Sequence, residues 1–165
     1  MLYILTGLPY AGKTTLTTEL VDRFGFNIVS TDNIIDDKVF EVKDMTQKDW
    51  NVVYTEAYEQ LKHFLSHSKD VIFDSANLKK SERNTAKEIA TNCNTECLVI
   101  YLNTSKSEIL ARWSKNQQTN DRSHVNEKVL DNALALFEEP TTDENVVLFN
   151  ASMDLNQWIQ KNITS

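Results

Sequence analysis

The stretch Gly7-Leu8-Pro9-Tyr10-Ala11-Gly12-Lys13-Thr14 decides the fold of this chain. It matches the pattern G-x-x-x-x-G-K-[ST] at every fixed position, and two of the chain's three glycines fill the two required glycine positions. The apolar run Leu2–Thr6 precedes it and an amphipathic segment, Lys13–Phe24, follows it. A strand, a glycine loop and a helix in this order predict a phosphate-binding loop (P-loop). The alternative is a glycine turn that merely caps a helix.

Each position of the stretch has a chemical reason. Glycines let the backbone curl so that amide N–H groups point at phosphate oxygens, and the following helix presents its positive end to the same anion. We expect Lys13 to reach the β- and γ-phosphates and the Thr14 hydroxyl to bind Mg²⁺. The predicted ligands are therefore ATP and Mg²⁺, and the predicted nucleotide-binding residues are Gly7, Leu8, Pro9, Tyr10, Ala11, Gly12, Lys13, Thr14 and Thr15.

Short apolar runs alternate with longer amphipathic segments along the whole chain. The runs are continuous, as expected of parallel strands covered on both faces; they are Leu2–Thr6, Asn27–Val29, Val71–Phe73, Leu98–Leu102 and Val146–Phe149. The clearest helix spans 46–65 and repeats apolar residues at a period of 3.6, which indicates a core face rather than a base-stacking platform. The alternation predicts a three-layer α/β fold with helices on both faces of a parallel sheet, in one domain over residues 1–165.

Two carboxylates follow strands of the predicted sheet. Asp32 comes just beyond the second strand, and Asp74 ends the third. Ligands of open parallel sheets bind at the carboxyl ends of the strands, so both side chains are expected near the P-loop. Asp74 has the position of an Mg²⁺-binding carboxylate, and Asp32 that of a base which takes a proton from an acceptor hydroxyl. Each could instead be an ordinary helix or turn cap, and the choice of base stays open between them.

Four arginines are available to stabilise the charge that develops during phosphoryl transfer. Arg112 lies on a helix that Ser105 begins, where Ser105 and Glu108 predict a capping box. Arg122 lies in a polar stretch before the next helix. This arrangement resembles the arginine-bearing lid of small nucleotide kinases, which implies a small lid at about residues 113–126. We expect Arg112 to bind the nucleotide, Arg122 to be catalytic and Arg83 to contribute from the acceptor side. For each arginine alone, the alternative is a surface salt bridge.

The composition limits the possible functions. A net charge of −7 opposes non-specific binding to nucleic acid, although a local basic groove is compatible with it. Two cysteines, Cys93 and Cys97, are too few for a disulfide scaffold, and their spacing is not the usual one of a zinc knuckle. A zinc site shared with the His63 and His67 pair is conceivable but disfavoured, because neither pair has ligand-like surroundings. With no signal peptide or membrane-spanning run in the sequence, we expect a cytoplasmic protein with reduced thiols.

The P-loop, the Ser30-Thr31-Asp32 turn, the Asp74-Ser75-Ala76-Asn77-Leu78 stretch and the arginines beyond it resemble the predicted-kinase family of P-loop ATPases. The chain is similar to polynucleotide 5′-hydroxyl kinases, zeta toxins and chloramphenicol phosphotransferase. The resemblance implies a five-stranded sheet of the nucleotide-kinase type, Asp32 as general base, and an acceptor side formed by Asp32, Asp74, Asn77 and Arg83. Polynucleotide kinases carry an arginine where this chain has Ile35, which disfavours a nucleic-acid acceptor.

These observations predict a kinase that moves the ATP γ-phosphate to an acceptor hydroxyl. The acceptor is either a small molecule or a nucleic-acid 5′-hydroxyl, and the oligomeric state stays open. One alternative is an NTPase switch that hydrolyses ATP to regulate a protein partner. Another is a nucleotide-binding module that has lost catalysis.

Overall fold

The chain folds around one parallel sheet. The computed structural model describes residues 1–119 and 125–163. Within them the sheet has five strands in the order β2-β3-β1-β4-β5, every pair parallel. The strands are β1 (Leu2–Thr6), β2 (Asn27–Ser30), β3 (Val71–Asp74), β4 (Cys97–Leu102) and β5 (Val146–Phe149). The predicted five-stranded parallel sheet is confirmed, with each strand within one residue of its expected bounds.

Helices connect successive strands and cover both faces of the sheet. In the described part of the chain they are α1 (Lys13–Phe24), α2 (Thr31–Asp37), α3 (Gln47–Ser66), α4 (Lys80–Asn92), α5 (Lys106–Thr119), α6 (Glu127–Leu136) and α7 (Leu155–Asn162). None of these helices is both long and apolar enough to cross a membrane.

Alternating side chains of the central strands divide the core into two halves. Leu2 and Ile4 of β1 pack with α2, α3 and α4 on one face, and Tyr3 and Leu5 pack with α1 and α7 on the other. β1 is fully buried because both of its faces are covered. The three layers therefore follow from a strand whose residues Leu2–Leu5 present apolar side chains to both faces of the sheet.

The predicted core face of α3 is confirmed for its aliphatic residues. Val53, Ala57 and Leu61 are completely buried, whereas Trp50, Tyr54 and Tyr58 are half-buried. The three aromatic rings follow one another along the helix, with centroids 6.3 and 5.9 Å apart.

The two edge strands are less buried than the sequence predicted. Leu148 of β5 is 49% exposed, and Ile28 of β2 is 36% exposed. The run of β5 is as apolar as those of the central strands, but each edge strand has a neighbour on one side only. An apolar run therefore predicted the strand without predicting its place in the sheet.

A third, smaller apolar cluster joins the P-loop to α5 and α6. Tyr10, Ile109 and Leu130 are buried in it. The indole N–H of Trp113 donates to the carbonyl of Val125 at 2.6 Å, which ties the two sides of this region together. Residues 113–119 of the predicted lid belong to α5, which continues to Thr119. Arg122 lies outside the described residues.

Candidate active site

The P-loop leaves β1 at Gly7 and enters α1 at Lys13. Gly7 passes so close to β4 that a Cβ atom there would lie 3.1 Å from the Leu102 carbonyl oxygen. Gly12 has a φ of +106°, which disfavours any side chain. Helix α1 has no side-chain cap hydrogen bond at Gly12 and no acidic residue in its first turn. Its positive end is therefore uncompensated, as an anion-binding helix requires.

Two side chains from the β4–α5 region fix the P-loop backbone. The Arg112 guanidinium donates to the Tyr10 carbonyl at 2.9 Å, and the Thr104 hydroxyl donates to the Ala11 carbonyl at 3.0 Å. In a trans peptide the C=O and N–H point in opposite directions. The Gly12 N–H, which shares a peptide group with the Ala11 carbonyl, therefore points away from Thr104.

The ammonium group of Lys13 lies inside the loop. It donates to the carbonyls of Gly7 at 2.8 Å and Leu8 at 3.2 Å. Burial lowers its pKa, although the negative charges of Asp74 and Asp32 act in the opposite direction. A polyphosphate beside this group would stabilise its charged form.

Asp74 and Thr14 provide oxygen atoms of the kind that Mg²⁺ prefers. Asp74 ends β3, is partly exposed, and accepts a hydrogen bond from the Thr17 hydroxyl at 3.0 Å. Burial raises the pKa of Asp74, while Lys13 and the Thr17 hydrogen bond lower it in part. Thr14 is exposed in the first turn of α1. One carboxylate and one hydroxyl fit Mg²⁺, which is usually held by few protein oxygens and by substrate phosphates.

Asp32 lies in the first turn of α2, on the β2 side of the P-loop. The helix cap is Ser30, whose hydroxyl accepts from the Asn33 N–H at 3.3 Å, so capping does not explain the presence of Asp32. The side chain is accessible to solvent, yet the surrounding protein desolvates it enough to raise its pKa. Lys13 lowers this pKa in part, and Asp36 raises it further. A solvent-accessible carboxylate of raised pKa is suited to accept a proton.

Two residues expected on the acceptor side are buried and make hydrogen bonds inside the fold. Arg83 is 1% exposed and donates to both carboxylate oxygens of Glu144, at 2.6 and 3.1 Å. It also donates to the carbonyls of Asn77 and Leu78. Asn77 is completely buried, and its amide N–H donates to the Leu5 carbonyl at 2.7 Å. Both residues hold the loop after β3 against the core, because the partners that bind them lie inside the fold.

A cavity of about 500 Å³ lies on the other side of the P-loop, towards β4 and β5. Gly12, Thr15 and Arg112 line it next to the loop, and Phe149 at the end of β5 and Ala151 just beyond it also line it. Arg112, predicted to bind the nucleotide, therefore lies between the loop and a cavity of suitable size for a base and a ribose. The carboxylates of Asp32 and Asp74 belong to the opposite side of the loop.

Two polar residues that hold this site together were not predicted from the sequence. Thr17 lies one turn beyond Thr14 on α1 and bonds Asp74, and Thr104 bonds the loop from the end of β4. Both are buried threonines. The position of Thr17 on the apolar side of α1, between Leu16 and Leu20, was a usable signal for a buried hydroxyl; Thr104 carried none.

The sequence and the structure match known proteins throughout. The AAA domain family matches residues 2–140. L-seryl-tRNA(Sec) kinase of Methanococcus maripaludis is 27% identical over 171 residues, which cover 98% of this chain and 62% of that protein. The chain thus spans less than two thirds of this relative.

Solved structures show the same fold. Kti12 of Chaetomium thermophilum, in complex with ADP-AlF3, has a TM-score of 0.79 at 20% identity, and each chain is covered completely. A putative kinase of Chloroflexus aurantiacus has a TM-score of 0.75 at 16% identity, covering 99% of this chain and 98% of that one. A gluconokinase of Sinorhizobium meliloti has a TM-score of 0.66 at 17% identity, with coverages of 98% and 88%.

Proposed function

This chain belongs to the AAA domain family and has the fold of the P-loop kinases, and from that premise we propose that it is an ATP-dependent phosphotransferase. It moves the γ-phosphate of ATP to the hydroxyl of an acceptor. The observation that carries the proposal is the arrangement around Lys13. An ammonium group inside the P-loop has a nucleotide-sized cavity on one side and the carboxylates of Asp74 and Asp32 on the other.

For the nucleotide, we propose that the adenine ring lies in the cavity and that the phosphates bind at the P-loop. The loop amides, the end of α1 and Lys13 hold the phosphates. Arg112 lies beside them, bonded to the Tyr10 carbonyl. The complex of Kti12 with ADP-AlF3 supports this assignment, because that protein has the same fold over its full length.

Mg²⁺ would be held by Thr14 and Asp74, with Thr17 orienting the carboxylate. When bound, the ion neutralises charge on the transferring phosphate. The described residues contain no group of three or more histidine, cysteine, aspartate or glutamate side chains that could hold a metal on their own. An ion shared with substrate phosphates is consistent with so few protein ligands.

Asp32 is proposed as the general base. The acceptor oxygen forms a bond to the γ-phosphorus while the bond from that phosphorus to the β,γ-bridging oxygen breaks. The acceptor proton passes to Asp32, and the products are ADP and a phosphate ester. Lys13 stabilises the charge on the phosphate oxygens. We propose the same task for Arg122, which the sequence predicts to be catalytic and which lies outside the described residues.

The acceptor is proposed to be a hydroxyl compound that presents no phosphate to α2. Ile35, where polynucleotide kinases carry an arginine, is buried in the core, while Asp32, Asp36 and Asp37 are exposed on the same helix. A phosphate bound beside α2 would be repelled by these carboxylates, and α2 has no arginine to balance its charge. The named substrates of similar proteins, a seryl-tRNA and gluconate, define two classes for a first acceptor screen.

The test compares acceptor-dependent turnover in matched variants. Asp32→Asn should lower phosphate transfer about 10²-fold or more while MgATP binding stays unchanged. Asp36→Asn removes a carboxylate from the same helix and should keep turnover within about twofold. Lys13→Ala should abolish nucleotide binding. Unchanged phosphate transfer in Asp32→Asn would exclude this residue as the general base. ATP hydrolysis that only a protein partner stimulates would instead favour an NTPase switch.

A further inference from the structure

Tyr10 occupies a turn position that ordinarily favours glycine. The Ala11 N–H donates to the Leu8 carbonyl at 3.1 Å, and Pro9 and Tyr10 are the central residues of this turn. The φ of Tyr10 is +65°. Proline followed by a residue of positive φ defines a type II turn, in which glycine or asparagine is usual at the second central position. Backbone strain of this kind persists only where the surrounding structure over-determines it.

The Tyr10 side chain connects the P-loop to two separate segments. Its hydroxyl oxygen accepts from the Asn116 amide at 3.3 Å and from the Val125 N–H at 3.3 Å. The ring is buried against Ile109 and Leu130. Asn116 lies in the last turn of α5 and Val125 lies just before α6. One phenol group therefore joins the loop to both.

The backbone of Tyr10 makes a third connection to the same region. Its carbonyl oxygen accepts from the Arg112 guanidinium, which also forms an ion pair with Glu108. Arg112 and Asn116 are one turn apart on α5, and both line the cavity. Side chain and backbone of Tyr10 together fix the distance between the P-loop and the cavity wall.

We propose that Tyr10 is a positioning residue, which sets nucleotide affinity by holding the P-loop against α5 and the start of α6. The inference rests on the proposed function, since the affinity concerned is that for MgADP and MgATP. The side chain of Tyr10, as well as its backbone, then takes part in nucleotide binding. The strained turn is retained because a glycine could not make the bridge.

The first test removes only the hydroxyl. Tyr10→Phe should weaken MgADP binding, measured by calorimetry, about fivefold to tenfold, since two hydrogen bonds are lost. The KM for ATP should rise by the same factor while kcat stays within about twofold. Tyr101→Phe is the matched control, because the Tyr101 hydroxyl donates to Glu139 at 3.4 Å and neither residue lines the cavity. Affinities are measured below the melting temperature of each variant.

The second test separates the bridge from the turn. Tyr10→Gly relaxes the backbone but removes the phenol, so it should bind MgADP at least as weakly as Tyr10→Phe. In a double-mutant cycle with Arg112→Gln, the two losses of affinity should be less than additive, because both act on one contact region. Wild-type affinity in both Tyr10 variants would overturn the inference and leave the proposed function intact. Absence of MgADP binding by the wild type would overturn both.

Discussion

Replacing Arg83 with methionine should destabilise the fold strongly and should leave acceptor recognition unchanged. Arg83 and Glu144 form a buried ion pair, 1% and 3% exposed at their side chains. Removing one partner of such a pair leaves the other charge buried, which costs about 3–5 kcal/mol. The loss of the bonds to the Asn77 and Leu78 carbonyls places the expected value at the upper end of this range.

Urea denaturation measures this effect directly. With an m-value of about 2 kcal/mol per molar urea, the midpoint should fall by roughly 2 M. Arg23→Met is the matched control: Arg23 pairs with Glu19 at 3.1 Å on the surface, and such pairs contribute about 1 kcal/mol or less. Replacing both Arg83 and Glu144 with methionine should recover part of the loss, since no unpaired charge remains buried.

The pair should also persist in mild acid. Burial raises the pKa of Glu144, but the hydrogen bonds from Arg83 and Thr141 outweigh burial and hold the pKa below its ordinary value of 4.5. For a depressed pKa, the stabilisation is present above pH 4.5 and is lost as the pH falls through the folded value. A stable Arg83→Met variant with a raised KM for the acceptor would refute this reasoning and return Arg83 to the acceptor side.

Three further predictions concern the site itself. In the wild type, chelating Mg²⁺ with EDTA should weaken ADP binding at least tenfold, whereas in Asp74→Asn it should no longer have this effect. Calorimetry with and without EDTA measures the ADP affinity of each protein. Thr104→Val should weaken MgADP binding about threefold to tenfold because the loop loses one buried hydrogen bond, and Thr104→Ser should bind normally. Turnover should decrease as the pH is lowered through the raised pKa of Asp32, because the base becomes protonated. Asp36→Asn removes a neighbouring negative charge, so it should move this acidic limb to lower pH, as a pH–rate profile would show.

The sheet and the P-loop could be predicted because their signals are local. The order of an apolar run, two glycines and a lysine fixes a strand, a loop and a helix, and α1 begins and ends at the residues expected, Lys13 and Phe24. Ser105 was expected to share a capping box with Glu108. Its hydroxyl does accept from the Glu108 N–H at 3.3 Å, but the Glu108 carboxylate pairs with Arg112 instead. A local pattern predicted the helix start, and another local pair, Glu108 with Arg112 one turn along the same helix, replaces the second capping bond.

The acceptor side could not be predicted to the same depth because its contacts are distant in sequence. Arg83 finds Glu144 across 61 residues, and the Asn77 amide finds the Leu5 carbonyl across 72. A sequence shows that an arginine and an asparagine follow β3, but not which groups will be buried with them. The bridge from Tyr10 to Val125, 115 residues apart, escaped prediction for the same reason.

The distribution of charge around the P-loop follows from the sheet order. Because β1 lies between β3 and β4, the residues that follow β3 and β2 lie on one side of the P-loop, and those that follow β4 and β5 lie on the other. Arg112 lies on the nucleotide side, whereas Arg83 is occupied by Glu144. Within residues 1–119 and 125–163, the proposed acceptor side therefore has the Asp32 and Asp74 carboxylates and no arginine beside the P-loop. Under the proposed function, an acceptor hydroxyl that enters from this side would meet the proposed base, Asp32, before it meets the ammonium group of Lys13.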